Sequence, residues 1–140
     1  MKTVSLEIAK ELKSNGFPQE TFFAYGAYER QDGTYLDDDY ILKINPRTTN
    51  RIEWGIKNYA EAMDDFIASP TAEEILERTP HQLLIKDVLY QLTITKINGW
   101  TWGISYIGVH TNKTLQAEVE DSLAEAAGEC WLFLKKENLL

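Results

Sequence analysis

The sequence predicts a single α+β domain spanning residues 1–140, with an antiparallel β-meander packed by a C-terminal helix and with an N-terminal helix and hairpin ahead of it. Three observations point there. Apolar segments of strand length follow one another from Leu83 to Val119, separated by Lys86-Asp87, Asn98-Gly99 and residues 108–112. From Leu123 to Leu134 the apolar residues recur at helical period. Val4, Ile8, Ala9 and Leu12 do the same near the start of the chain.

The first element is an amphipathic helix over about residues 3–15, with Glu7, Lys10, Glu11 and Lys13 on its polar side. Asn15-Gly16 supplies the left-handed residue that ends it, and Pro18 blocks continuation. Residues 21–28 are rich in β-formers, Asp32-Gly33 marks a turn, and Tyr40 to Ile44 read as the return strand, closed by Asn45-Pro46. The acidic residues 35–39 fit either a bulge or a loop. Residues 51–57 stay open between strand and helix, because Ile52, Trp54 and Ile56 alternate while Ile52, Ile56, Tyr59, Ala60, Met63 and Ile67 follow helical spacing. From about Asn58, with Glu61 three residues on, length favours helix.

Thr71 and Glu74 are spaced as a capping box, which predicts a short helix that buries Ile75 and Leu76 and stops before Pro80. Strands follow at Leu83–Ile85, Val88–Ile97, Trp100–Ile107 and across Leu115, Ala117 and Val119. Asn-Gly between apolar runs predicts a two-residue type I′ turn, since both residues tolerate positive φ. Ser122 and Glu125 are spaced as a second capping box. Behind them Leu123, Ala126, Ala127, Cys130, Trp131 and Leu134 form one stripe, flanked by Phe133, with Leu132 roughly opposite.

Composition narrows the function classes. A hydrophobic fraction of 44% suffices for one core. The opening residues lack the apolar run of a secretory signal, and no stretch approaches the roughly 18 apolar residues of a membrane span. A single cysteine, Cys130, cannot form an internal disulfide and fits a reducing, cytoplasmic setting. Net charge −8 disfavours direct nucleic-acid binding and serves solubility. It also admits an acidic inhibitor that mimics nucleic acid, provided that the carboxylates of residues 29–39, 61–65 and 118–125 gather on one face.

The start Ser69-Pro70-Thr71-Ala72-Glu73-Glu74-Ile75-Leu76 resembles a recurring helix start in small proteins encoded by phages and mobile elements of gut Bacteroidota. The final helix, with Ser122-Leu123-Ala124-Glu125-Ala126 and Trp131-Leu132-Phe133-Leu134-Lys135, is similar to theirs, as is the opening helix that ends in Asn15-Gly16-Phe17-Pro18. That family has no assigned activity, so the resemblance implies a genomic setting and no catalytic residue.

Candidate chemistry is sparse. Asp37-Asp38-Asp39, with Asp32 nearby, lacks the alternating oxygens and sharp-turn Gly of a calcium loop. His81 and His110 have no Cys, Asp or Glu at ligand spacing, and Cys130 lies on an apolar stripe where a thiol acts as a small hydrophobe. No catalytic residue, metal site or cofactor is expected. A small enzyme would need His81 or His110 to meet a carboxylate in a cleft. The aromatic hairpin is the candidate interaction face. With a two-residue turn Ile97 faces Trp100, so Trp100, Trp102 and Tyr106 share a face with Thr93 and Thr95, and Gly103 lies beneath the C-terminal helix. Three covers suit that Trp face: the N-terminal half, a protein partner or second copy, or a stacked base or sugar. The leading expectation is a non-enzymatic protein-interaction domain of phage or mobile-element origin, possible as a homodimer.

Overall fold

The computed structural model describes residues 2–29, 35–45 and 66–140. Helix α1 (Leu6–Ser14) starts on Ser5, whose hydroxyl accepts the amide of Ile8. It ends at Asn15-Gly16, where Gly16 takes φ 86°. Strands β1 (Phe23–Glu29) and β2 (Tyr35–Ile44) pair antiparallel. Their register slips between Ala27 and Tyr28, and Asp37, Asp38 and Asp39 fall in the interruption. Of the two readings for 35–39 the bulge holds.

Ile67, which the helical spacing drew into a helix, instead lies in the two-residue strand β3 (Ile67–Ala68) on the other edge of β1. Pairing with Ala24 and Tyr25 outweighs the local period there. The expected Asp32-Gly33 turn, the open stretch 51–57 and the helix from about Asn58 lie outside the described residues.

Helix α2 (Ala72–Leu76) carries the full capping box: Thr71 Oγ1 accepts the Glu74 amide, and Glu74 Oε1 accepts the Thr71 amide at 3.0 Å. Four antiparallel strands then run in the order β4 (Gln82–Ile85), β5 (Val88–Ile97), β6 (Thr101–Gly108), β7 (Thr114–Glu120). Helix α3 (Leu123–Lys136) packs against β6 and β7 and also touches α1 and α2. The fold is thus α+β, with the meander and its C-terminal helix as expected.

α3 is more deeply enclosed than one stripe implies. Ala126, Ala127, Cys130, Trp131 and Leu134 are buried, but so are Ala124, Gly128 and Leu132. Leu132 therefore does not point to solvent. Ala124, Gly128 and Leu132, at i, i+4 and i+8, form a second buried line, and Gly128 lies against Ile8 of α1 and Val4 just ahead of it. Trp131 meets Phe17 edge-on, with ring centroids 5.0 Å apart. One apolar cluster joins α1, Phe17, Ile67, Ile75, the inner face of the sheet and α3.

The second capping box is only half made. Ser122 accepts the Glu125 amide at 3.1 Å, but the Glu125 carboxylate crosses to α1, where it accepts from the Ser5 amide and from Ser5 Oγ. The cap of one helix thereby anchors the cap of another.

Candidate interaction surface

The turn after β5 decides what each face of the sheet carries. Asn98 and Gly99 take φ 50° and 83°, as Asn-Gly should, but Trp100 is also spent in the loop. Ile97 consequently pairs with Thr101 rather than Trp100, and the register moves by one residue. Because side chains alternate with period two, that step exchanges the partners on both faces.

Trp102, Ile104 and Tyr106 share their face with Lys96, Ile94 and Leu92, and this is the face that α3 covers. The expected interaction face is corrected accordingly. Tyr106 is 0% exposed and donates its hydroxyl to Pro80 O at 2.6 Å. Burial, with Cys130 beside it, raises the pKa of that hydroxyl. Trp102 is half-buried at the mouth of a cleft, with Lys96 Nζ 5.4 Å from its ring centroid. Trp100, at 79% exposed, stands alone at the hairpin tip. This register sets Tyr90, Leu92, Ile104 and Tyr106 together against the apolar core, while Leu89, Ile97 and Ile107 stay on the other face.

Among the described residues no helix packs on the opposite, outer face. It carries Gln82 and Leu84 from β4, and Leu89, Gln91, Thr93, Thr95 and Ile97 from β5. From β6 and β7 it carries Thr101, Gly103, Ser105 and Ile107, then Ala117 and Val119. None of these residues is charged, although 26% of the chain is. Leu84 and Val119 are 72% and 56% exposed. Gly103 lies here and not under a helix; a Cβ on it would come nearest the Ile97 Cδ1 methyl at 3.3 Å, with the Thr95 and Glu118 carbonyl oxygens at 3.7 and 3.9 Å. The signal was present in the sequence as the alternation Thr93, Thr95, Ile97 and Thr101, Gly103, Ser105, but the register that aligns the two series depends on the turn length.

Charge is concentrated elsewhere. Glu118 and Glu120 pair with Ile104 and Trp102 and so face inward, toward Glu125 and Glu129 of α3. Burial first, and these neighbours second, raise the pKa values of Glu120 and Glu129. Burial and Glu118 push the Cys130 thiol up to about 12, which keeps it protonated and unreactive.

The histidines are separate. His110 is exposed in the β6–β7 loop. His81 lines a shallow cleft of about 500 Å³ with Leu76, Leu123, Glu73 and Glu77. No hydrogen bond or ion pair joins His81 to either carboxylate. A second cleft of about 380 Å³ adjoins it, lined by Lys2, Trp102, Asp121 and the caps Thr71 and Ser122. Among the described residues no group of three His, Cys, Asp or Glu is placed to hold a metal ion, and no helix is long and apolar enough to cross a membrane. Comparison with protein-family models, with curated proteins and with solved structures finds no match.

Proposed function

We propose that the chain is a non-enzymatic protein-interaction domain that presents the outer face of its four-stranded sheet to a protein partner. One observation supports this above the others: a face without charge across four strands, in a chain of net charge −8. Surfaces kept only for solubility are laced with both signs of charge, whereas the centres of protein interfaces are depleted in it. A cytoplasmic setting and a mobile-element origin complete the reading.

The test is site-specific photo-crosslinking in cells that express the chain from its own locus. Probes at Thr95 and Val119 should give discrete protein adducts, and a probe at Glu7 on the exposed side of α1 should give none. Equal labelling from all three positions would remove the proposal. The gathering of Glu118, Glu120, Glu125 and Glu129 favours a second reading, an acidic mimic of nucleic acid. That reading predicts adducts from a probe at Asp121, beside the acidic seam, in place of the sheet face.

A further inference from the structure

We infer that Asn98, at the tip of the β5–β6 hairpin, is a site of spontaneous deamidation, and that the fold withholds the same reaction from Asn15. The chain carries both as Asn-Gly pairs, Asn15-Gly16 and Asn98-Gly99. Local sequence makes them alike, since a following glycine has no Cβ to hinder its amide nitrogen from meeting the asparagine side chain. The structure separates them, whatever occupies the outer sheet face.

The chemistry needs only water. The glycine amide nitrogen loses its proton to solvent base and attacks Cγ of the asparagine. A bond forms between them, the Cγ–Nδ2 bond breaks, and Nδ2 takes up a proton and leaves as ammonia. Water then opens the cyclic imide at either carbonyl. One opening leaves an aspartate; the other leaves an isoaspartate, in which the backbone runs through the side-chain carbon. Two groups must therefore be free: the carboxamide to turn, and the amide nitrogen to ionise.

At Asn15 neither is free. Its Nδ2 donates to Glu11 O at 2.8 Å, and the Gly16 amide donates to Lys13 O at 3.1 Å. At Asn98 both are. Among the described residues no group hydrogen-bonds to the Asn98 side chain or to the Gly99 amide. Both residues are exposed, and apart from chain neighbours no atom lies within 4 Å of where a Cβ on Gly99 would stand. The ladder ends at Ile97 and Thr101, so the tip can turn into the reactive geometry without breaking a strand pair.

Either product adds one negative charge to the −8 of the chain, at a tip where Asn98, Gly99 and Trp100 carry none. Isoaspartate also lengthens the backbone of the turn that sets the β5–β6 register, so the modified molecule is altered where the Ile97–Thr101 pairing begins.

Incubation of the full chain at mildly alkaline pH, in buffer and in concentrated urea, tests this. Peptide mapping by mass spectrometry counts conversion at each site, and labelling by an isoaspartyl methyltransferase identifies the product. In urea both pairs should convert, because only local sequence remains. In buffer Asn98 should stay within about threefold of its urea rate, and Asn15 should fall about tenfold or more below its own, since two hydrogen bonds must open first. The Asn98 rate should rise with pH, as ionisation of the amide nitrogen requires. A folded Asn98 slowed as much as Asn15 overturns the inference, as does an Asn15 that reacts as fast folded as unfolded.

Discussion

At the scale of single residues, two glycines separate what packing forbids from what it permits. A Cβ at Gly128 would lie 2.8 Å from Ile8 Cγ2 and 3.3 Å from Val4 Cγ1. Both are methyls on β-branched side chains, Ile8 in α1 and Val4 buried just ahead of its cap, so neither can swing away. Gly128→Ala gains about 1 kcal/mol of helix propensity. Overpacking costs about 1–3 kcal/mol, and in a contact this close it wins. The expected result is a lower urea midpoint for Gly128→Ala and a much lower one for Gly128→Leu. Gly103 behaves oppositely. It was expected beneath a helix, but it lies on the outer face, so Gly103→Thr should hold or raise the stability by up to about 1 kcal/mol. A loss at Gly103 as large as that at Gly128 would contradict the register. The difference traces to one residue, Trp100. Asn98-Gly99 announces a turn but does not say whether the next residue belongs to it.

At the scale of elements, the helix caps were legible and their remote partners were not. Thr71, Glu74, Ser122 and Glu125 advertise two helix starts through i, i+3 spacing alone. The fold then spends these carboxylates on distant partners, Glu74 in addition to its own cap and Glu125 in place of it. Glu74 Oε2 accepts the Phe22 amide at 3.0 Å, and Glu125 accepts from Ser5. Local spacing cannot reveal an acceptor that serves an amide far along the chain. Removing the Glu125 charge relieves repulsion with Glu120 and Glu129, worth less than about 1 kcal/mol between groups that solvent still reaches. It also weakens hydrogen bonds to a charged group, worth about 1.5–3 kcal/mol, so Glu125→Gln should destabilise. In a double-mutant cycle with Ser5→Ala the coupling should be about 1 kcal/mol; a coupling near zero would mean that the bridge contributes nothing. The seam between β7 and α3 also sets a pH dependence. Glu120 and Glu129 hold protons more tightly folded than unfolded, where the ordinary carboxyl value near 4.5 applies. Their contribution to stability is therefore greatest at acid pH and falls as pH rises from about 4.5 through the raised folded values. The stability difference between Glu129→Gln and the parent should grow with pH in that window. A flat difference would show that the seam does not hold the proton.

At the scale of the whole molecule, the question is whether the two sheets and three helices of the described residues unfold as one unit. The meander and α3 form a layered pair that the sequence signals strongly, because Asn98-Gly99 and the 122–134 stripe are local patterns. How the N-terminal half joins it is not local: the junction is made by Gly128 against α1, Phe17 against Trp131 and the Ser5–Glu125 bridge. Trp131 is the largest of these contacts, 5% exposed, and it belongs to the same cluster as Val4, Ile67 and Ile104. Truncating a buried Trp to Ala costs about 3–5 kcal/mol, a large share of a total stability of about 5–15 kcal/mol. For a chain of this length each kcal/mol shifts the melting midpoint by about 3 °C, so Trp131→Ala should melt roughly 10–15 °C below the parent. If the halves are one unit, far-UV circular dichroism and the near-UV signal of the tyrosines in β1 and β6 must fall together in the parent and in the variant. Two separated transitions in Trp131→Ala, with the meander melting at the parent's temperature, would show that α3 holds the sheet without holding α1.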